Sequence, residues 1–120
     1  MDKGLIMTPS PVPRVNCYPD ANFAGLYGHE DAQDPHCARS CTGYVILAFG
    51  CPVLWCSRLQ TEIALSTMEA EYVTLSTACK DLLSLVLLIH AVHPSTKSVQ
   101  CVVALDKIKC FLTTTWSHEE

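Results

Sequence analysis

Residues 67–92 repeat apolar side chains at helical spacing, and this long pattern constrains the fold more than any other stretch. It opens on Ser66-Thr67-Met68-Glu69, a capping-box signature in which the serine accepts an N–H of the first turn and the glutamate reaches back to a free backbone N–H. It closes at His93-Pro94, because proline disfavours helical conformation in the residue before it. Within it, Glu71, Leu75, Ala78, Leu82, Leu85 and Ile89 fall on one stripe, whereas Glu69 shares its side with Ser76, Lys80 and Ser84. Two neighbouring glutamates therefore have different expected fates. Glu69 is a cap. Glu71 heads an apolar, core-facing stripe, where an unpaired carboxylate is costly. It either bends out to water or has a partner, and a metal ion is one candidate.

The flanking segments read as strands. Val15–Ala24 alternates, with Val15, Cys17, Ala21 and Phe23 on one side and Asn16, Tyr18, Asp20 and Asn22 on the other; Pro19 is an awkward member of a central strand. Residues 25–42 are polar and read as a loop. Gly43–Phe49 and Val53–Ser57 form a hairpin around a turn at Gly50-Cys51-Pro52. Val99–Leu105 is a β-branched run that follows the helix, as a crossover connection requires. The order of three strands, a helix and a strand predicts an α/β (α+β) domain with a mixed sheet. Asp20 on the first strand, Glu71 on the first helical turn and Asp106 after the last strand would then converge at one end of the sheet, where ligand sites in open sheets cluster.

Composition narrows the function. At 120 residues and 49% hydrophobic content the chain has enough apolar material for one modest core. A net charge of −4, with no Lys/Arg cluster, argues against strong autonomous affinity for nucleic acid. Residues 1–14, with Pro9, Pro11 and Pro13, read as an extended leader without the apolar stretch of a secretory signal, which predicts an intracellular, non-secreted protein. The eight cysteines are accordingly expected as reduced thiols. Cys37-x3-Cys41 and Cys51-x4-Cys56 lack the tight spacing of zinc ligands. The longest apolar run, Leu82–Val92, is interrupted by Ser84 and His90 and is too short to span a bilayer, so no membrane partner is expected. Trp55 and Tyr72 are read as packing residues, and Arg39 and Arg58 as the candidate phosphate contacts.

CYPDANFAG (17–25) followed by RSCTGYVILAFGCPVLWCSRLQTEIALSTMEAEYVTLS (39–76) resembles the ribonuclease H domain of copia-type long-terminal-repeat retrotransposon polyproteins. The resemblance covers residues 4–106 and implies a ribonuclease H-like fold: a mixed five-stranded sheet, three antiparallel strands followed by parallel ones, with helices packed on it. It further implies Mg²⁺-dependent (or Mn²⁺-dependent) hydrolysis of the RNA strand of an RNA–DNA hybrid, with two ions held by carboxylates. Carried over motif by motif, the catalytic and metal-ligating residues are Asp20 of PDANFAG, Glu71 of EAEY and Asp106 of VVALDK.

The chain departs from the family pattern in ways that matter for charge. Asn22 stands where the family has a second aspartate, and Lys107 where an asparagine follows the third. IKCFLTTTWSHEE after Lys107 no longer follows the family. The resemblance therefore predicts a C-terminally truncated domain over 15–106 with a divergent tail over 107–120, and activity that is reduced or lost. Val99–Leu105 would be the last strand, free to self-associate through its edge. A non-catalytic remnant acting as an interaction module through that edge is the rival reading, and a thiol-rich metal-binding protein is the third.

Overall fold

The computed structural model describes residues 3–25, 28, 33–94, 98–103 and 114–117. Its strands are β1 (Arg14–Asn22), β2 (Cys41–Ala48), β3 (Cys51–Leu59), β4 (Ser98–Val103) and β5 (Thr114–Ser117), and its long helix is α1 (Thr67–Val92). A short 3₁₀ helix, Pro35–Ala38, lies in the segment expected to be a loop, capped by Asp34, whose carboxylate accepts the His36 N–H at 2.9 Å.

The strands form one mixed sheet in the order β3-β2-β1-β4-β5. β1 is antiparallel to β2 and parallel to β4, with Cys17 opposite Ile46 on one side and Val103 on the other. Parallel neighbours need a crossover, and α1 supplies it between β3 and β4. The hairpin turn is one position earlier than expected. Phe49 (φ 53°) and Gly50 (φ 80°) both have positive φ, the requirement of a two-residue turn between twisted strands. Pro52 thus lies inside β3, an edge strand that tolerates a missing N–H.

One sequence expectation is overturned here. β4 is not the end of the sheet, because β5 pairs with it antiparallel, Cys101 opposite Thr114. The TTWS stretch that forms β5 contains two β-branched threonines and an aromatic tryptophan, a strand composition inside what read as a divergent tail. The sheet's edges are β3 and β5, so self-association through an exposed β4 edge has no structural basis.

The core lies on one face of the sheet. Val15 and Cys17 of β1, Tyr44, Ile46 and Ala48 of β2, and Cys101 and Val103 of β4 pack against Ala78, Leu82, Val86 and Ile89 of α1. Leu75 and Leu85 flank this stripe, half-buried. The opposite face of the β1–β3 sheet has no helix over it among the described residues. Tyr18, Val45 and Trp55 line up across it in register, and all three are exposed.

Candidate functional site

The C-terminal end of β1 and the first turns of α1 meet at one end of the sheet. Ala21, next to Asp20, pairs with Thr42 of β2, and Thr42 Oγ1 lies 3.0 Å from Thr74 Oγ1 on α1. Thr74 follows Glu71 by three residues, so it shares that helix flank. Asp20 is exposed and belongs to the alternate set of β1 with Arg14 and Tyr18; Glu71 is half-buried on the helix that covers the other face. Asp106 lies outside the described residues.

Glu69 caps the helix as expected, whereas Glu71 is half-buried beside a buried face that starts at Ala70, rather than standing at its head. Ser66 is the N-cap, its Oγ accepting the Glu69 N–H at 3.1 Å. Glu69 reaches back one residue further than in the standard box and accepts the Leu65 N–H at 2.7 Å. This exposed carboxylate is committed to the cap. At the other end, the His93 N–H donates to Ile89 O at 2.8 Å.

Beneath the first turns lies a polar cluster that pattern reading missed. Gln60 is buried just after β3, and its Nε2 donates to Ala70 O at 2.9 Å, Thr42 Oγ1 at 3.1 Å and Thr74 Oγ1 at 3.2 Å. The backbone N–H of Gln60 donates to Ser40 O at 2.8 Å, and Ser40 Oγ accepts the Ala24 N–H at 3.2 Å. Ser40, Thr42, Gln60 and Thr74 are each at most 5% exposed. A Gln and two Thr are unremarkable in sequence, and only the fold brings them together.

Charge and burial also set the thiol chemistry. Burial pushes the Cys17 thiol up to about 12, with electrostatic interaction with Cys79 and Asp81 adding to the effect. Cys79 is likewise raised by burial. Tyr44 is raised by burial first and then by its hydrogen bond to Asp81 Oδ2 on α1. Among the described residues no group of three or more His, Cys, Asp or Glu is gathered for a metal ion. The oxygen donors of Asp20 and Glu71 are of the kind Mg²⁺ takes, and they would supply two of its ligands.

Other residues read from the sequence take the following places. Trp55 is 71% exposed and Tyr72 is 55% exposed, so neither packs in the core; Trp55 falls on the uncovered sheet face and Tyr72 on the helix flank away from it. Arg58 is exposed while Arg39 is half-buried. Counted as a whole rather than as an unbroken run, α1 is long and apolar enough to cross a membrane by length and composition, although its Ala78–Ile89 stripe packs on the sheet.

Among known proteins, no family model, no curated protein and no solved structure matches the chain.

Proposed function

We propose that this chain is a ribonuclease H-like domain of copia-retrotransposon origin, directed at the RNA strand of RNA–DNA hybrids, with weakened activity. The observation that supports the reading is the topology that carries the two motifs: the PDANFAG aspartate lies near the C-terminal end of β1 and the second EAEY glutamate in the first turns of α1, on a sheet ordered β3-β2-β1-β4-β5. The parallel β1–β4 pair agrees with the fold the resemblance implies, and the antiparallel β5 departs from it. Asp20, Glu71 and Asp106 would hold Mg²⁺, which when bound activates water and stabilises the leaving oxygen. The chain's own contribution is a half-buried carboxylate on a capped helix and an exposed one on a paired strand.

The weakening has a charge argument. Asn22 keeps an oxygen but lacks a charge, and Lys107 adds a cation next to Asp106 in sequence. At ~5 Å a unit charge still interacts by several kcal/mol at an effective dielectric near 20. Both changes reduce the attraction for a second divalent ion.

Cleavage of labelled hybrid in Mn²⁺ tests this, in the natural chain and in one carrying Asn22→Asp and Lys107→Asn. The double change should raise the rate, Glu71→Gln should abolish it in both backgrounds, and Glu69→Gln should spare it because glutamine also caps. No cleavage by the double-substituted chain, or equal losses from both glutamates, contradicts the proposal.

A second reading, an interaction module, has its own observation. The free β3 edge adjoins the exposed Tyr18–Val45–Trp55 row, which offers apolar surface beside unpaired strand backbone.

A further inference from the structure

The Ala70 carbonyl belongs to the peptide group that joins Ala70 to Glu71. Gln60 Nε2 holds that oxygen at 2.9 Å, and the same nitrogen reaches Thr42 on β2 and Thr74 one helical turn further along α1. The orientation of the carboxamide is dictated by this contact, because a flipped amide would set Gln60 Oε1 against the Ala70 carbonyl, two acceptors face to face. Oε1 is buried and has no hydrogen-bond partner. Burying an amide oxygen unpaired is costly. A side chain kept in that arrangement is held by what its nitrogen does.

The backbone of Gln60 extends the connection to the other carboxylate. Its N–H is fixed to Ser40 O, and the Ser40 hydroxyl accepts the Ala24 N–H, at the turn that follows β1. Asn22 folds over the same turn, so tightly that a β-carbon at Gly25 would lie 2.2 Å from Asn22 Nδ2. One buried chain of hydrogen bonds thus runs from the turn after Asp20, through Ser40 and Gln60, to the peptide before Glu71. Thr42 closes it on the strand side, since it faces Ala21 across the ladder and Thr74 across the layer.

We infer that Ser40 and Gln60 form a positioning frame that sets the rotation of the first turns of α1, and with it the placement of Glu71 relative to Asp20. Gln60 touches no reacting atom and is a positioning residue. The inference rests on the metal-site reading for its functional consequence, but the mechanical part can be measured without any metal.

Amide hydrogen exchange in the full chain, Gln60→Met against the natural sequence, reads the mechanical part. Exchange over 70–75 should quicken roughly tenfold while 82–89 stays unchanged. A triple variant, Gln60→Met with Thr42→Val and Thr74→Val, removes the Gln60 carboxamide together with both hydroxyls it meets, so none of these three side chains is left unpaired. It should fold even where the single variant does not, and show the same local loosening. Ser40→Ala, which keeps the backbone acceptor for Gln60, should loosen the Ala24 turn and leave 70–75 protected. Mn²⁺ added to the same samples reads the functional part, through paramagnetic broadening at Asp20 and Glu71. Its apparent affinity should fall roughly tenfold in Gln60→Met, against little change for Trp55→Ser. Equal quickening along the whole of α1, or none over 70–75, overturns the frame. Unchanged Mn²⁺ affinity alongside local loosening overturns its link to the site. If the natural chain shows no Mn²⁺ broadening, the metal reading fails, and the exchange pattern alone decides for or against the frame.

Discussion

Cys17 offers a measurement of how dry the centre of the sheet is. It lies in β1 between β2 and β4, fully buried, with its thiol pushed from the ordinary 9.0 up to about 12 by burial and by nearby Cys79 and Asp81. Above pH ~9 the unfolded chain releases this proton while the folded chain keeps it, so the unfolded state gains with each further pH unit. The stability associated with the neutral thiol is therefore intact below about pH 9 and lost between about 9 and 12. The slope for one group is ~1.4 kcal/mol per pH unit, which amounts to ~2 kcal/mol by about pH 10.5. Cys17→Ala removes the group at a constant cost of about 1 kcal/mol for the lost sulfur contacts. Urea titrations of both chains under reducing conditions, from pH 7.5 to 10.5, isolate the term together with its coupling to Cys79, because Tyr44 and the thiols that do not interact with Cys17 cancel in the difference. The natural chain should lead at pH 7.5 and fall behind by pH 10.5. A difference that stays constant over this range would show that Cys17 titrates alike in both states, and the dry-centre argument would be wrong.

Tyr44→Phe removes the hydroxyl that donates to Asp81 Oδ2 and should cost about 1–2 kcal/mol by thermal unfolding, at the low end for a charged acceptor because Asp81 is half-exposed to water. It should also flatten the further loss of stability above pH ~10, where the raised tyrosine would otherwise begin to contribute. Trp55→Ser should change stability by less than about 0.5 kcal/mol, since the indole is 71% exposed, while lowering any self-association seen by sedimentation. A loss of several kcal/mol would return Trp55 to the core.

The helix was legible because three independent signals agreed on it: the Ser66 cap, the apolar period and the His93-Pro94 stop. Glu69 took the cap, but Ala70, Thr74 and Val86 are buried where the stripe named Glu71, Leu75 and Leu85, which are half-buried. That shift of the buried face has a physical origin. Small and hydroxyl-bearing residues at Ala70 and Thr74 let the helix start close to β2, and hydrophobicity alone does not mark such positions. The Phe49–Gly50 turn was misplaced because a phenylalanine with positive φ is not a turn signal. β5 was missed because four strand-forming residues carry no alternation long enough to read. The polar cluster was invisible because Gln60 meets Thr74 only after β3 and α1 fold onto the same face. Asp20 and Glu71 were named from motif and period, and their common sheet end depends on the Ala21–Thr42 register that no local pattern encodes.

α1 is held to the sheet in two different ways along its length. Its C-terminal half uses Leu82, Val86 and Ile89 against Val15, Ile46 and Cys101, contacts whose energy follows buried area and barely depends on direction. Its first turns use Ala70 O and Thr74 Oγ1, contacts that weaken steeply once donor and acceptor are misaligned. An apolar seam permits a helix to roll by a small angle at little cost, whereas a hydrogen-bonded carbonyl fixes the roll. Glu71 sits at the directional end, one residue beyond the fixed carbonyl, and Asp20 is tied through Ala21 and Thr42 to the same cluster. A site that needs two carboxylates at a set separation is served by that arrangement, since the apolar half supplies adhesion and the polar end supplies the angle.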